Sequence, residues 1–176
     1  MAVIDAARKI LDLEGPDALT MRHVADALGI RAPSLYKHFA NKMAIEAALV
    51  TGAMVEIGEA THAALHGPGP GSHLGPVGTV GRVLAAYRAR CLGHAAVYRL
   101  ATQSSFARDL LPAGLEDWAG NPFYVATGDP SLAQAVWSFA HGMVVLELDG
   151  RFPPGSDLDA TWRAGAQAFE RAGTKR

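Results

Sequence analysis

The chain has 176 residues, 49% of them hydrophobic, with a formal net charge of −1 and one cysteine. That is ample material for a buried core, while no run approaches the ~20 apolar residues that a membrane helix needs. Cys91 alone cannot form an intrachain disulfide, and MAVIDAARKI carries an early acid and lacks a cleavage site, so a cytoplasmic protein without membrane attachment is expected.

Taken in order, Val3, Ile4, Ala7, Ile10 and Leu11 repeat at helical spacing, predicting a first helix that ends near Leu13 and is stopped by Gly15-Pro16. Thr20 is a good N-cap for a second helix, whose inner face holds Val24, Ala25 and Leu28. Gly29 suits the left-handed corner that follows, Ile30 is expected to bury the turn, and Pro33 fits the first turn of a third helix. Leu35 and Phe39, at i and i+4, form the inner face there, leaving Arg31, Ser34, Tyr36, Lys37 and His38 to point elsewhere. A small residue for close approach, a glycine corner and an apolar plug are what a helix-turn-helix requires. A helical hairpin with a basic face shows the same spacing. Net charge near zero does not announce a nucleic-acid binder, yet Arg22, Arg31, Lys37 and Lys42 cluster here against Asp26 alone.

The fourth helix starts near Lys42, with an inner stripe of Ile45, Leu49, Met54 and Ile57. A domain boundary is expected within it, near residue 50, giving a 1–50 head and a 51–176 body. HGPGPGSHLGPVGTVG, residues 66–81, is read as a mobile surface loop that cannot be a regular helix. A fifth helix then runs to about Leu92, Gly93 breaks it, and a sixth spans His94 to Thr102. A seventh is placed around Leu115 to Ala126. Asp129-Pro130 starts an eighth, SLAQAVWSFAHGMVVLEL, apolar on nearly every side, and Asp157 caps a ninth with a stripe of Leu158, Trp162, Ala166 and Phe169. The fold class is therefore all-α, with about nine helices. Helices eight and nine look too apolar for a monomer surface. Val136, Phe139, Met143, Leu146, Leu158, Trp162 and Phe169 are the expected contacts of a four-helix bundle with a second copy, a buried core within a larger single-chain body being the alternative.

Residues 4–50 resemble the N-terminal domain of the TetR (tetracycline-repressor) family of bacterial regulators, most specifically in the LYKHF–xxK run from Leu35 to Lys42. The resemblance implies an all-helical homodimer acting on a double-stranded, pseudo-palindromic DNA operator, as a ligand-responsive repressor. It implies that Tyr36 and Lys42 hold phosphates and that the start of helix three reads bases. The DNA-facing set is then Thr20, Arg22, Arg31, Ala32, Pro33, Ser34, Tyr36, Lys37, His38 and Lys42. Arg31 stands where that family commonly has serine or threonine, which offers an extra phosphate or guanine contact. Trp137, His141, Gly142 and Glu147 resemble a branch of the family marked by a Trp…His-Gly motif in its eighth helix.

The family also implies a small organic effector among helices four to seven, using Tyr87, Cys91, Tyr98, Phe106, Trp118 or Phe123, the alternative being that the aromatic residues are simply core. Trp137 and His141 could line such a pocket, although a core histidine, with Gly142 permitting close packing, is the preferred reading. His62 and His66 have the spacing for one metal, but without a companion Cys or H-E-x-x-H they read as solvated or helix-end histidines. No cofactor is expected. Ser104 and Ser105 carry no sign of activation, and neither a phosphate loop nor a nucleophile elbow is present, so an enzyme is disfavoured. The alternatives are a small enzyme and a helical interaction module that does not bind DNA.

Overall fold

The computed structural model describes residues 2–67, 78–103 and 105–173, so Ser104 and most of the glycine-proline stretch lie outside the described residues. Among the described residues the chain is all-α, with helices α1 (Ala2–Glu14), α2 (Met21–Ala27), α3 (Ala32–Leu35), α4 (Lys42–Ala64), α5 (Thr79–Gly93), α6 (Ala95–Thr102), α7 (Leu115–Thr127), α8 (Pro130–Leu148) and α9 (Leu158–Gly173). None of these helices is long and apolar enough to cross a membrane. The chain divides into two compact units, one of Met1–Met54 with His94–Leu115, the other of Val55–Gly93 with Glu116–Arg176.

In the first unit α1 to α3, the start of α4 and α6 share one core. Ala7, Leu11, Val24, Ala25, Leu35, Ile45, Val50 and Val97 are buried together, and Phe106 packs against them. α6 thus belongs with the head, where it packs on α1, and the Arg8 guanidinium bonds the His94 imidazole just before α6. Several helix ends follow from local chemistry. Thr20 Oγ1 accepts from the His23 N–H at 3.1 Å, and Asn41 Oδ1 accepts from the Ala44 N–H at 2.9 Å, capping α2 and α4. At the other end of α2, Gly29 takes φ +65°, and the N–H groups of Gly29 and Ile30 donate to Asp26 and Ala25. This closes the corner through the backbone. Ile30 therefore does not bury the turn as expected; its side chain is 39% exposed.

In the second unit α5, α8 and α9 pack mutually. Arg88 of α5 forms a forked pair with Glu147 of α8, at 3.0 and 2.7 Å, and reaches Asp159 of α9 at 2.5 Å. The Trp162 indole N–H donates to the same Glu147 at 3.1 Å, and the Arg88 guanidinium stacks 5.5 Å from the indole centre. Burial works against the Arg88 charge, but the two carboxylates outweigh it and raise its pKa; the hydrogen bond from Arg88 holds Asp159 below the usual carboxylate range. The α5 start is also capped from afar, since Glu170 accepts from the Val80 and Gly81 N–H groups at 2.9 and 3.3 Å. Arg82 meanwhile donates to the last carbonyl of α4, at Ala64 (3.0 Å), and to that of Leu65 just beyond it (3.3 Å). The helix begins at Thr79, so residues 79–81 are helical where a loop was expected.

α8 is apolar on most sides, as read, but much of that surface is covered within one chain. Val136, Met143 and Trp162 are buried in the second unit's own core, and Phe139 meets Trp162 and Phe169 edge-on at 5.5 and 5.6 Å. These expected interface residues thus hold the unit together. Leu158 and Phe169 are half-buried and Leu146 is exposed. Gly165 allows the Phe139 ring onto the α9 backbone, where a Cβ would lie 2.3 Å from the ring. Gly142 has no such neighbour within 4 Å, so close packing inside the described chain is not its role.

Candidate nucleic-acid interface

The helix-turn-helix is built from the inside outward. Leu35 of α3 is fully buried against Val24 and Ala25 of α2, and burying a leucine contributes about 1.5–3 kcal/mol. That plug fixes which side of α3 faces away. α3 itself is short, but backbone bonds from the His38 and Phe39 N–H groups to the Leu35 carbonyl, both 3.0 Å, carry the turn on to Phe39. Phe39 is half-buried against the same core. Arg31, Pro33, Ser34, Tyr36, Lys37 and His38 are all exposed, and Ala32 is half-buried.

The outward side chains divide by what already engages them. Tyr36 is 53% exposed, and neither it nor Arg31, Ser34, Lys37 or His38 has a side-chain hydrogen bond or ion pair among the described residues. Arg22 lies 3.7 Å from Asp26, one turn along α2 and largely in water. Lys42 is different: its ammonium donates to the Pro16 carbonyl at 2.9 Å and lies 3.4 Å from Glu46. It thereby ties the start of α4 to the corner after α1, a role the spacing alone did not reveal. Thr20 is occupied as a cap. Near it the His23 ring meets the Ala18 carbonyl at 3.1 Å and Glu14 at 3.5 Å, fixing α2 against the end of α1.

An exposed strip bearing a guanidinium, an ammonium, a phenol, an imidazole and a hydroxyl, on a buried helix-turn-helix, has the chemistry of a duplex-DNA surface. Residues 3–49 match the family of bacterial regulatory proteins, tetR family. The tetracycline repressor of class A from transposon 1721 (Escherichia coli) is 44% identical over 54 residues, 31% of this chain and 25% of that protein. The class D repressor of Escherichia coli is 50% identical over 48 residues, 27% of this chain and 22% of that protein. The matched segment spans about a quarter of these relatives' length. Solved structures extend the likeness to the whole fold. The TetR-family transcriptional regulator PfmR of Thermus thermophilus has a TM-score of 0.65 at 19% identity, with 96% of this chain and 97% of that one covered. BioQ with its double-stranded DNA operator scores 0.60 at 21%, covering 99% and 96%; the multidrug binding protein EbrR complexed with imidazole scores 0.68 at 20%, covering 96% and 92%. Residues 3–49 thus match the tetR-family model and its helix-turn-helix, and the chain has the fold that these solved regulators share.

The residues expected around an effector are distributed between the units. Tyr98 and Phe106 belong to the first, where Phe106 packs on the head core rather than in the body. In the second, Tyr87 and Phe123 are buried and meet edge-on at 5.5 Å, while Cys91 is buried beside Tyr87 with its thiol pushed up to about 12 by desolvation. Trp118 stacks on His62 at 5.1 Å and its carbonyl bonds the His62 ring at 3.0 Å, so that histidine serves packing. Gly58 makes room for the indole, since a Cβ there would lie 2.3 Å from it. Trp137 is exposed and stacks on His141, 5.5 Å away.

Proposed function

We propose that the protein is a cytoplasmic, homodimeric transcription regulator, a repressor rather than an activator, released from a pseudo-palindromic operator by a small organic effector. The observation that carries this is the row Arg31, Ser34, Tyr36, Lys37 and His38, exposed and unengaged among the described residues beside a buried Leu35. Cations and hydroxyls left without internal partners favour an anionic, hydrogen-bonding surface such as the DNA backbone. Tyr36 and Lys37 contact phosphates, and the start of α3 meets base edges. Lys42 serves chiefly to hold α4 in place for this contact.

One head reads half a site. A second copy supplies the other, at about 34–36 Å or a multiple of it, the spacing of successive major grooves on one face. The outward side of α8 is the proposed contact, with exposed Ser138 and Leu146, the half-buried Val145 and the uncovered Gly142. Trp137, His141, Gly142 and Glu147 support a place in the Trp…His-Gly branch of the family. The effector binds in the second unit beside Tyr87, Trp118 and Phe123, by aromatic contact; the imidazole complex of EbrR supports such a ligand class. Its differential affinity for two head spacings shifts the population away from DNA.

Selection of bound fragments from genomic DNA tests the reading. Saturable, sequence-selective binding that weakens steeply with salt is expected. Binding to no fragment, or equally to all, contradicts it, and the genes beside the selected fragments indicate the effector class.

A further inference from the structure

The front of the reading helix has few groups with which to read. Ala32 and Pro33 carry no side-chain donor or acceptor, and Ser34 offers one hydroxyl. Discrimination in the major groove needs hydrogen bonds to base edges or contact with the thymine methyl. Of the nearby cations, Arg22 lies on α2, exposed and 3.7 Å from Asp26, and Lys42 is bonded to the Pro16 carbonyl. Lys37 lies in the turn beyond α3. Arg31 is the guanidinium immediately before α3. It is exposed on an extended backbone (φ −78°, ψ 140°), caps nothing with its side chain, and has no hydrogen bond or ion pair among the described residues.

We propose, resting on the DNA-binding reading above, that Arg31 determines operator specificity and that each half-site carries a guanine facing it. Two parallel N–H groups of the guanidinium donate to guanine O6 and N7, a match of planar fork to paired acceptors that a point-charged ammonium does not reproduce. Ala32 and Pro33, apolar and adjacent, then suit a thymine methyl at the neighbouring step. A phosphate is the competing partner for any exposed cation. It would need no fork and would carry no sequence information.

The test takes the 176-residue chain, selects its preferred duplex, and replaces each guanine of that site in turn with 7-deazaguanine, which lacks the N7 acceptor. One guanine per half-site is expected whose replacement weakens wild-type binding roughly five- to hundred-fold. The same replacement should leave Arg31→Ala unaffected. That variant should lose its preference at this position alone, and Arg31→Lys should not restore it in full. Because Arg31 has no side-chain partner among the described residues, both variants should fold, which thermal melting checks. If Arg31→Ala instead weakened binding to every sequence and lowered the salt slope by about 1, Arg31 would be a phosphate contact and the proposal would fall. Unchanged affinity and preference, or full rescue by lysine, would overturn it equally, and in all three cases the regulator reading would stand. A wild-type chain that enriched no sequence would instead remove the regulator reading itself.

Discussion

At the scale of single residues, the sequence is most legible where the chemistry is local. Thr20, Asp129 and Asp157 each accept from an N–H three residues on, as their side chains predict. Long-range partners leave no such trace. Nothing in the spacing announces that Glu170 caps α5 or that Lys42 reaches the Pro16 carbonyl. Ile30 misled because its hydrophobicity suggests burial, whereas the Gly29 corner is closed by backbone bonds and leaves that side chain half outside. Cys91 shows how burial sets reactivity. Its thiol, ordinarily near 9.0, rises to about 12 through desolvation, so in the unfolded chain it ionises first. A folded pKa above the unfolded one leaves stability intact below about pH 9, then reduces it as pH rises towards about 12. Cys91→Ala should flatten that alkaline decline in chemical-denaturation measurements, and the wild-type thiol should resist alkylation at pH 8 until the protein unfolds. Rapid alkylation of folded protein would contradict the burial.

Among elements, the three-helix join of α5, α8 and α9 has the most concentrated chemistry. Arg88 and Glu147 retain 21% and 14% side-chain exposure, so the pair is neither dry nor fully screened. Breaking a buried pair costs about 3–5 kcal/mol and an exposed one about 0–1. An intermediate loss of about 1–3 kcal/mol is expected for Arg88→Ala, which strips Glu147 of its fork while leaving the Trp162 indole N–H. Thermal melting should show it, and a Glu147→Gln, Arg88→Ala double variant should lose less than the two single losses added. Strict additivity would mean that the two residues act separately. Periodicity found α8 and α9 with their caps, but could not say which apolar side meets which neighbour. A helix apolar all round must be covered, and the pattern alone does not distinguish its own chain from a second copy. This is why Val136, Met143 and Trp162 read as an interface and yet are buried within the protomer.

For the whole molecule, the consequence concerns how assembly is probed. Trp162→Glu would place a charge in the protomer core and unfold the second unit, telling nothing about pairing. Leu146→Glu is the cleaner change, since Leu146 is exposed in the single chain. If α8 pairs with its copy, this variant should melt near the wild-type temperature, sediment as a monomer at micromolar concentration, and bind its operator more weakly because the half-sites are no longer engaged together. A stable dimer with unchanged affinity would move the interface elsewhere. Near-neutral charge made the DNA-binding role the least visible property in the composition. The helix-turn-helix spacing and the cations from Arg22 to Lys42 pointed to it in the sequence, and the unengaged polar groups along one edge of α3 support it.

That edge is the central claim, and the most direct measurement is operator affinity as a function of salt for wild type, Tyr36→Ala and Lys37→Ala. Wild type should show a steep linear loss of log affinity with log salt, Lys37→Ala a slope shallower by about 1 per head, and Tyr36→Ala a uniform weakening at nearly the same slope. Folded variants that bind with wild-type affinity and slope would mean that the exposed edge does not touch DNA.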